Sequence, residues 1–296
     1  MNPLDDAIEI CHGDLGATFL PALGMLGSSL RRGDAEFIAL PGGVERYRAG
    51  HQTGLPLLAP WANRLSQRSY RASGVDVDLS AVELSTDPNG LPIHGTMTAA
   101  RGWEVTEHST ARIVARFDYG ARADLLAAFP FPHAITVRAS AVDGALRVET
   151  TIEPTSDRAV PVSFGWHPYL RLPRGERASW RLKLPALRRC TLDDHGIPTG
   201  ERVDENAGAD EFGDRTFDDL FELRDERVLS AEYDGAEVGV EFGAGYPYAQ
   251  IYAPPGEDFV CFEPMTAVVD GLVTGACPTV EPGTRFTAEF TISCRS

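Results

Sequence analysis

Two ionisable side chains lie where apolar residues dominate the sequence. Glu263 follows an apolar run in FVCFEPMTAVVDG, and His167 stands between a tryptophan and a proline in SFGWHPYLRL. A carboxylate that closes a buried strand costs free energy unless it is paired or used in chemistry. A lone histidine among apolar neighbours is ordinarily a core residue whose ring hydrogen-bonds to the backbone. Together, a carboxylate and an imidazole can supply the base and the acid of a proton-transfer reaction.

Three more stretches place polar groups beside aromatic or apolar neighbours. Arg64 lies three residues after a tryptophan in LLAPWANRLSQRSY, and His94 precedes a glycine in NGLPIHGTM. Asp218 and Asp219 lie between two phenylalanines in RTFDDLFEL. Each has a structural interpretation: an ion-pair partner for Arg64, a turn cap for His94 and a turn acceptor for Asp218. Taken singly, the arginine and the aspartates favour those structural roles.

The elements that must position these groups are β-strands. Apolar and polar residues alternate with period two through ARIVARFDY, HAITVRASAV, ALRVETTIEP, AEVGVEFG and RFTAEFTISC. Such alternation is typical of strands with one buried face. The 29 glycines and 21 prolines fit the many turns that short strands require. The predicted fold is all-β, a large antiparallel β-sandwich.

Two segments depart from the strand pattern. ADLLAAF, residues 123–129, predicts a short helix. The acid-rich segment 201–219 predicts a long loop or insertion, with residues 201–214 in solvent. No low-complexity linker divides the chain, so residues 1–296 are expected to form a single domain.

Composition narrows the classes of partner. A net charge of −16 argues against nucleic acid and anionic membranes, both of which attract basic patches. The cysteines include no CxxC pair, which argues against a zinc site or a disulfide framework and favours reduced thiols in a cytoplasmic protein. No signal-peptide pattern is visible, and no apolar run approaches the roughly 20 residues that span a bilayer. The cysteines are Cys11, Cys190, Cys261, Cys277 and Cys294.

Six motifs in chain order resemble those of the aldose 1-epimerases, the galactose mutarotase family. They are APWANRL, YRASGVDVDL, LPIHG, FGWHPYLRL, FDDLF and CFEPMTAVVDGL, and the resemblance covers roughly residues 15–292. It implies a galactose mutarotase-like supersandwich. Some positions depart from the galactose-active branch, which usually has asparagine at Trp166 and often phenylalanine at Leu170. FDDLF also lacks that branch's aspartate–histidine pair, so Asp218 is the matched position and Asp219 a rival.

The resemblance implies an isomerase that interconverts the α and β anomers of a free hexose, glucose or a galactose-like aldose, acting as a monomer or a homodimer. Glu263 would be the base, His167 the acid that protonates the ring oxygen, and His94 a catalytic neighbour that binds the same region. No metal and no other cofactor are needed. Residues implied in substrate binding are Arg64, Asp218, Trp166 and Asn63.

Two further expectations concern the surroundings of these residues. Trp61, Trp103 or Trp166 is expected to offer an aromatic face to the sugar, although core packing suits Trp103 better. The carboxylates Glu263 and Asp218 are expected to keep His167 charged against the effect of burial.

Other functions remain open at this point. A glycoside-cleaving enzyme would use Asp218 and Glu263 as its two carboxylates. A non-catalytic sugar-binding protein could keep Arg64 and the aromatic residues but would not need the acid or the base. A phosphosugar epimerase would need a basic cluster, for which Arg31 with Arg32, or Arg171 with Arg174, are candidates. A mononuclear metal site of two histidines and a carboxylate lacks any supporting local spacing.

Overall fold

The computed structural model describes residues 6–296 and consists mainly of strands. They account for 49% of the chain and helices for 8%, which confirms the all-β prediction. The helices are α1 Gly43–Arg48, α2 Ala123–Leu126 and α3 Gly271–Thr274, and one-turn 3-10 helices cover Pro21–Leu23, Tyr119–Ala121 and Arg177–Ser179. No helix in the described range is long and apolar enough to cross a membrane.

The strands follow one another at short intervals along the chain. The first twelve are β1 Ile8–His12, β2 Leu15–Leu20, β3 Leu26–Arg32, β4 Ala35–Glu36, β5 Leu57–Leu58, β6 Ser69–Ala72, β7 Val75–Asp78, β8 Glu104–Ser109, β9 Arg112–Asp118, β10 His133–Val142, β11 Ala145–Pro154 and β12 Val160–Pro161. The others are β13 Gly165–Trp166, β14 Tyr169–Leu170, β15 Arg181–Leu184, β16 Leu187–Leu192, β17 Pro198–Glu205, β18 Gly208–Glu211, β19 Phe217–Glu222, β20 Val228–Tyr233, β21 Ala236–Phe242, β22 Tyr248–Ala253, β23 Val260–Met265, β24 Thr279–Val280 and β25 Phe286–Arg295.

Two large antiparallel sheets form the sandwich. One has nine strands in the order β18-β15-β20-β21-β25-β11-β10-β9-β8. The other has eight, in the order β17-β16-β19-β22-β23-β13-β5, with β14 also paired to β23. Strands β1–β4 form a smaller sheet, and the pairs β12–β24 and β6–β7 stand alone. One apolar cluster joins both large sheets, with Val137 and Ile292 from the first and Ile251 and Phe262 from the second.

Strong alternation identified the strands with long buried faces. HAITVRASAV and ALRVETTIEP coincide with β10 and β11, which pair along their whole length from His133 with Pro154 to Val142 with Ala145. The connection is a two-residue Asp-Gly turn with φ of 49° at Asp143 and 73° at Gly144. Positive φ at both central residues is the geometry that such a short hairpin needs.

The acid-rich segment is not a long loop, contrary to the sequence-based expectation. Residues 198–205 form β17 and residues 208–211 form β18, at the outer edges of the two large sheets. The expectation of solvent exposure holds for most of 201–211, whereas Phe212 is fully buried. An edge strand can carry charged side chains on both faces, so its composition resembles that of a loop. The short helix expected over 123–129 forms only over α2.

Strands β22 and β23 have one face in the core and one face turned away from it. Their register pairs Ile251 with Phe262, both in the apolar cluster between the sheets. The same register pairs their neighbours Gln250 and Glu263 with each other. Because neighbouring side chains in a strand point to opposite faces, Gln250 and Glu263 lie on the face opposite the nine-stranded sheet.

Trp166 belongs to the interior of the sandwich. Its side chain is fully buried, and its indole N–H donates to Thr150 Oγ1 of β11 at 3.0 Å. Its ring lies 5.9 Å from that of Phe290 of β25. Both partners belong to the nine-stranded sheet, so Trp166 faces the core, whereas the expected role in substrate binding would require it to face the opposite side.

We expect Trp166→Phe to lower stability, because it removes the hydrogen bond to Thr150 and leaves a small cavity. The expected loss in free energy of unfolding is about 1–3 kcal/mol. Urea denaturation measures this loss, which should appear as a lower midpoint of unfolding. Val203→Ala is the matched control, since Val203 is 45% exposed and its truncation should change stability by less than about 0.5 kcal/mol. An unchanged midpoint for Trp166→Phe would contradict this placement.

Candidate active site

A cavity of about 400 Å³ opens on the face of the eight-stranded sheet that carries Gln250 and Glu263. Most of its wall is polar and includes both signs of charge. The lining residues are Arg46, His51, Gln52, Asn63, Arg64, Thr86, Asp87, Pro88, Ile93, His94, His167, Tyr169, Asp218, Gln250, Tyr252 and Glu263. Six of the seven site residues expected from the sequence therefore meet in one place, and Trp166 does not line it.

Glu263 and His167 form a direct pair at the base of this cavity. His167 Nε2 lies 3.2 Å from Glu263 Oε1, and the two side chains are only 6% and 2% exposed. Strand β23 holds Glu263, and the link between β13 and β14 holds His167, whose backbone N–H donates to Pro56 O at 3.1 Å. The His167 ring stacks on Tyr169 with 4.5 Å between ring centres. A strand thus holds Glu263, while a backbone hydrogen bond and ring stacking hold His167 in the short link between two strands.

Burial sets the protonation of this pair. It raises the pKa of Glu263 well above its usual range, and the nearby Asp218 charge raises it further against the effect of Arg64. Burial also lowers the pKa of His167 well below its usual range, with a smaller contribution from His94. The expectation that nearby carboxylates keep His167 charged is therefore not met, because desolvation outweighs them. Both shifts favour the neutral forms of the two groups.

His94 lies beside the pair on a constrained turn. Its ring is edge-on to that of His167 with 5.5 Å between ring centres, and its Nδ1 accepts from the backbone N–H of Asn63 at 3.3 Å. Burial, aided by Arg64, lowers the pKa of His94 to about 3, so it is a neutral imidazole. His94 and Asn63 have φ of 61° and 58°, a conformation that costs free energy for residues with a Cβ. At Gly95 any Cβ would lie 2.1 Å from Ala59 O, so the turn requires glycine.

Arg64 is held by two carboxylates and an amide. Its Nε donates to Asp87 Oδ2 at 2.9 Å, its Nη2 to Asp218 Oδ2 at 3.1 Å and its Nη1 to Asn63 Oδ1 at 3.2 Å. Asp218 Oδ1 in turn accepts from Gln250 Nε2 at 2.6 Å. These contacts fix the orientation of the guanidinium, and Arg64 still lines the cavity. A group that binds substrate hydroxyls needs both properties.

The structure distinguishes Asp218 from its rival Asp219. In the register of β19 with β22, Asp218 pairs with Tyr252, which lines the cavity, and Asp219 pairs with Ile251, which lies in the core cluster. Only Asp218 of the two lines the cavity. The position matched by the resemblance is therefore the one that faces the site.

The aromatic wall consists of tyrosines. All four tryptophans lie in the described part of the chain, and none of them lines the cavity. Trp61 is fully buried and Trp103 is 9% exposed, both within the main apolar cluster. The tyrosines that line the cavity are Tyr169 and Tyr252. The expectation of a tryptophan platform is therefore wrong.

Sequence reasoning missed Gln250, Tyr252 and Asp87. Gln250 and Tyr252 alternate with Ile251 in YAQIYA, so a buried glutamine within a strand was an available signal. Asp87 gave no such signal in the sequence. The backbone N–H groups of Asn89 and Leu91, which belong to the same turn, donate to its side-chain oxygen Oδ1. Such a contact looks like ordinary turn chemistry in a sequence.

The basic cluster expected for a phosphosugar does not come from the predicted arginines. Arg31 pairs with Glu9 at 2.6 Å and Arg174 with Asp234 at 3.6 Å. None of Arg31, Arg32, Arg171 and Arg174 lines the cavity. Among the described residues, one buried group has the donors for a metal ion, and it combines His167 with Cys261 and Glu263 instead of two histidines.

Comparisons with known proteins agree with this fold. The galactose mutarotase-like protein of Clostridium acetobutylicum has a TM-score of 0.84 at 18% identity, with 98% of this chain and 95% of that chain covered. The GalM/aldose epimerase homologue of C. elegans has a TM-score of 0.80 at 17% identity, with 98% of each covered. The galactose 1-epimerase of Lactobacillus acidophilus has a TM-score of 0.78 at 13% identity, with 98% and 94% covered.

Two comparisons of sequence add to those of structure. The uncharacterized protein YihR of Escherichia coli (strain K12) is 30% identical over 155 residues, which are 50% of this chain and only 46% of YihR. The profile of the aldose 1-epimerase family matches residues 8–293. The chain therefore belongs to the aldose 1-epimerase family.

Proposed function

We propose that the protein is an aldose 1-epimerase in activity as well as in family, and that it interconverts the α and β anomers of a free aldose. The buried pair of Glu263 and His167, 3.2 Å apart on the cavity wall, carries this proposal. One group can take a proton from the substrate while its neighbour gives one back, which is the requirement for opening a sugar ring.

Ring opening needs two proton transfers. The Glu263 carboxylate takes the proton of the anomeric hydroxyl, and that oxygen becomes the aldehyde oxygen. The bond between C1 and the ring oxygen breaks, its electrons pass to the ring oxygen, and the His167 imidazolium gives that oxygen a proton. Rotation about C1–C2 presents the other face of the aldehyde. The reverse transfers then close the ring as the opposite anomer.

The pair keeps a single proton throughout this cycle. A proton shift from Glu263 to His167 forms the ion pair that starts the reaction, and ring opening returns both groups to the neutral state that burial favours. Oε2 of Glu263 is buried without a hydrogen-bond partner in the described structure, which leaves an unused acceptor beside the cavity for a substrate hydroxyl. Such a donor stabilises the carboxylate and therefore the imidazolium beside it.

The remaining polar wall suits substrate hydroxyls. Arg64 and Asp218 offer a donor and an acceptor that are already oriented by Asp87 and Gln250, and Asn63 holds Arg64. Hydroxyl groups donate and accept, so they fit such mixed surroundings. His94 is neutral and can hydrogen-bond near the ring oxygen. Tyr252 supplies an aromatic face for the C–H surface of a sugar.

The arrangement favours this reaction over glycoside cleavage. A glycoside-cleaving enzyme would need a second carboxylate free for chemistry. Both oxygens of Asp218 are already bound, one by Arg64 and the other by Gln250. A protein that only binds sugar would have no need of a costly buried acid–base pair.

Glu263→Gln tests the base. It keeps the shape of the side chain and removes its basicity, so we expect kcat to fall by about 10²–10⁴-fold while sugar still binds. Polarimetry of a freshly dissolved α-aldose gives the rate, and calorimetric titration gives the affinity. Leu58→Val in the same sheet is the control for a generic change in packing. A near-normal rate in Glu263→Gln would rule out this assignment.

His167→Asn tests the acid and separates it from a structural histidine. We expect most of the catalytic rate to disappear while sugar binding stays measurable. A histidine needed only for packing would instead lower the melting temperature and leave the folded fraction active. Measuring the melting temperature and the mutarotation rate of the same sample decides between the two, and a destabilised but fully active variant would contradict the catalytic role.

The pH dependence of the wild-type mutarotation rate should reflect the proton that Glu263 and His167 share in this mechanism. The acidic limb reports gain of a second proton by the pair, and because burial lowers the pKa of His167, it should lie below the ordinary histidine value of 6.5. The alkaline limb reports loss of the single proton, and the raised pKa of Glu263 places it above the ordinary glutamate value of 4.5. His167→Asn should change this profile, which a purely structural residue would not do.

Arg64→Ala and Asp218→Ala test substrate binding. We expect either change to raise KM by about tenfold or more, since each leaves a charged partner unsatisfied and removes hydroxyl contacts. Asp219→Ala is the matched control, because its side chain does not line the cavity. If Asp219→Ala raised KM and Asp218→Ala did not, the assignment of this motif would be wrong by one residue.

A further inference from the structure

A third side chain with metal-binding chemistry adjoins the Glu263–His167 pair. One ligand atom each of His167, Cys261 and Glu263 lies within 4.8 Å of the others. All three residues are buried, and Cys261 is a free thiol with no exposed surface. The cluster thus offers one nitrogen, one sulfur and one oxygen donor in a small space.

The strands hold these donors in a fixed relation. Cys261 and Glu263 are two residues apart on β23, so their side chains lie on the same face of the sheet. Strand β14 pairs Tyr169 with Cys261, and the Tyr169 ring stacks on that of His167. The proximity of the three donors therefore follows from the pairing of two strands and not from a mobile loop.

Two atoms of the cluster lack partners. Glu263 Oε2 and His167 Nδ1 are buried and make no hydrogen bond within the described structure. A buried polar atom without a partner costs about 1–3 kcal/mol. A cation beside Glu263 would remove that cost for the carboxylate.

We propose that His167, Cys261 and Glu263 form a site for Zn²⁺ or a similar thiophilic divalent cation, and that the ion inhibits the enzyme by occupying its acid and base. The inhibition rests on the proposed function, whereas the binding does not. Zn²⁺ binds thiolate, imidazole and carboxylate, commonly with three protein ligands and a fourth position left to water. The cavity in front of Glu263 provides that fourth position.

The distance between His167 and Glu263 is close to that of two zinc ligands, and Cys261 Sγ, which lies within 4.8 Å of both ligand atoms, would adjust to reach the ion. Tetrahedral bonds of about 2.0–2.3 Å place zinc ligands about 3.3–3.7 Å apart. His167 Nε2 and Glu263 Oε1 are 3.2 Å apart before any ion binds. Mg²⁺ and Ca²⁺ prefer sets of oxygen ligands, so a site with sulfur and nitrogen discriminates against them.

Binding of the ion displaces protons from its ligands. Zn²⁺ needs the thiolate, the carboxylate and the neutral imidazole, so every proton that these three groups carry at the ligand atoms in the free site must leave. Binding should therefore release protons and strengthen as pH rises.

Direct binding to the intact protein is the first measurement. Calorimetric titration with Zn²⁺ in two buffers of different ionisation enthalpy gives the affinity and the number of protons released. Titration with Co²⁺ gives the absorption of a cobalt–thiolate bond. We expect saturable 1:1 binding of Zn²⁺, the thiolate absorption with Co²⁺, and no binding of Mg²⁺. Absence of saturable Zn²⁺ binding would overturn the proposal.

Cys261→Ser identifies the site, with Cys190→Ser as the matched control. Cys190 is also a buried cysteine of the eight-stranded sheet but does not belong to the cluster. We expect Cys261→Ser to weaken Zn²⁺ binding by more than about tenfold, since losing even an outer-shell partner commonly costs that much. It should also abolish the cobalt–thiolate absorption, whereas Cys190→Ser should change neither. Equal losses in both variants, or none in Cys261→Ser, would overturn the proposal.

Activity supplies the last test. Cys261 has no part in the proton transfers, so Cys261→Ser should keep the mutarotation rate in the presence of a chelator. Added Zn²⁺ should abolish the rate of the wild-type enzyme at concentrations that spare the variant. If Cys261→Ser does not fold by circular dichroism, Cys261→Ala takes its place. Tight Zn²⁺ binding with an unchanged wild-type rate would overturn the inhibitory role, whereas absence of any wild-type mutarotation in chelator would instead contradict the proposed function.

Discussion

The contact between Glu263 and His167 is the interaction on which the site depends. Two ionised groups with almost no access to water would carry a large desolvation penalty, even as an ion pair. The structure avoids it by shifting both pKa values toward the neutral forms. Under the proposed function, a substrate hydroxyl that donates to the carboxylate offsets part of the cost of moving a proton from Glu263 to His167. The net charge of the pair stays the same during that transfer.

The surrounding fold keeps that contact in place with groups that do not themselves react. The register of β22 with β23 places Glu263 on the face opposite the core, and stacking on Tyr169 fixes the imidazole. Left-handed backbone at Asn63 and His94 turns the polar side of a loop toward the pair. Such conformations cost free energy that the packed sandwich must offset. A rigid scaffold with local strain at the site is a common way to orient reacting groups before substrate arrives.

Sequence patterns predicted those features that depend on residues close together in the chain. Strands β10 and β11 have the full alternation of apolar and polar residues, and a hairpin turn joins them, so their bounds followed from short segments alone. Glu263 could be singled out because a carboxylate that closes an apolar run is costly, whereas Asp218 was preferred to Asp219 only through the family resemblance. The face that Trp166 takes could not be predicted, because a two-residue strand carries no period and its direction depends on distant β11. The alternation in YAQIYA could have marked Gln250 and Tyr252, but their place beside Glu263 follows only from the pairing of β22 with β23.

Polarimetry tests most directly whether this pocket catalyses mutarotation. Freshly dissolved α-glucose, α-galactose and other aldoses relax slowly to their anomeric equilibrium without help. We expect the protein to accelerate this relaxation for at least one of these sugars, with a rate that is proportional to enzyme concentration and nearly absent in Glu263→Gln. Relaxation that stays at the uncatalysed rate for every aldose tested, with folded and metal-free protein, would contradict it.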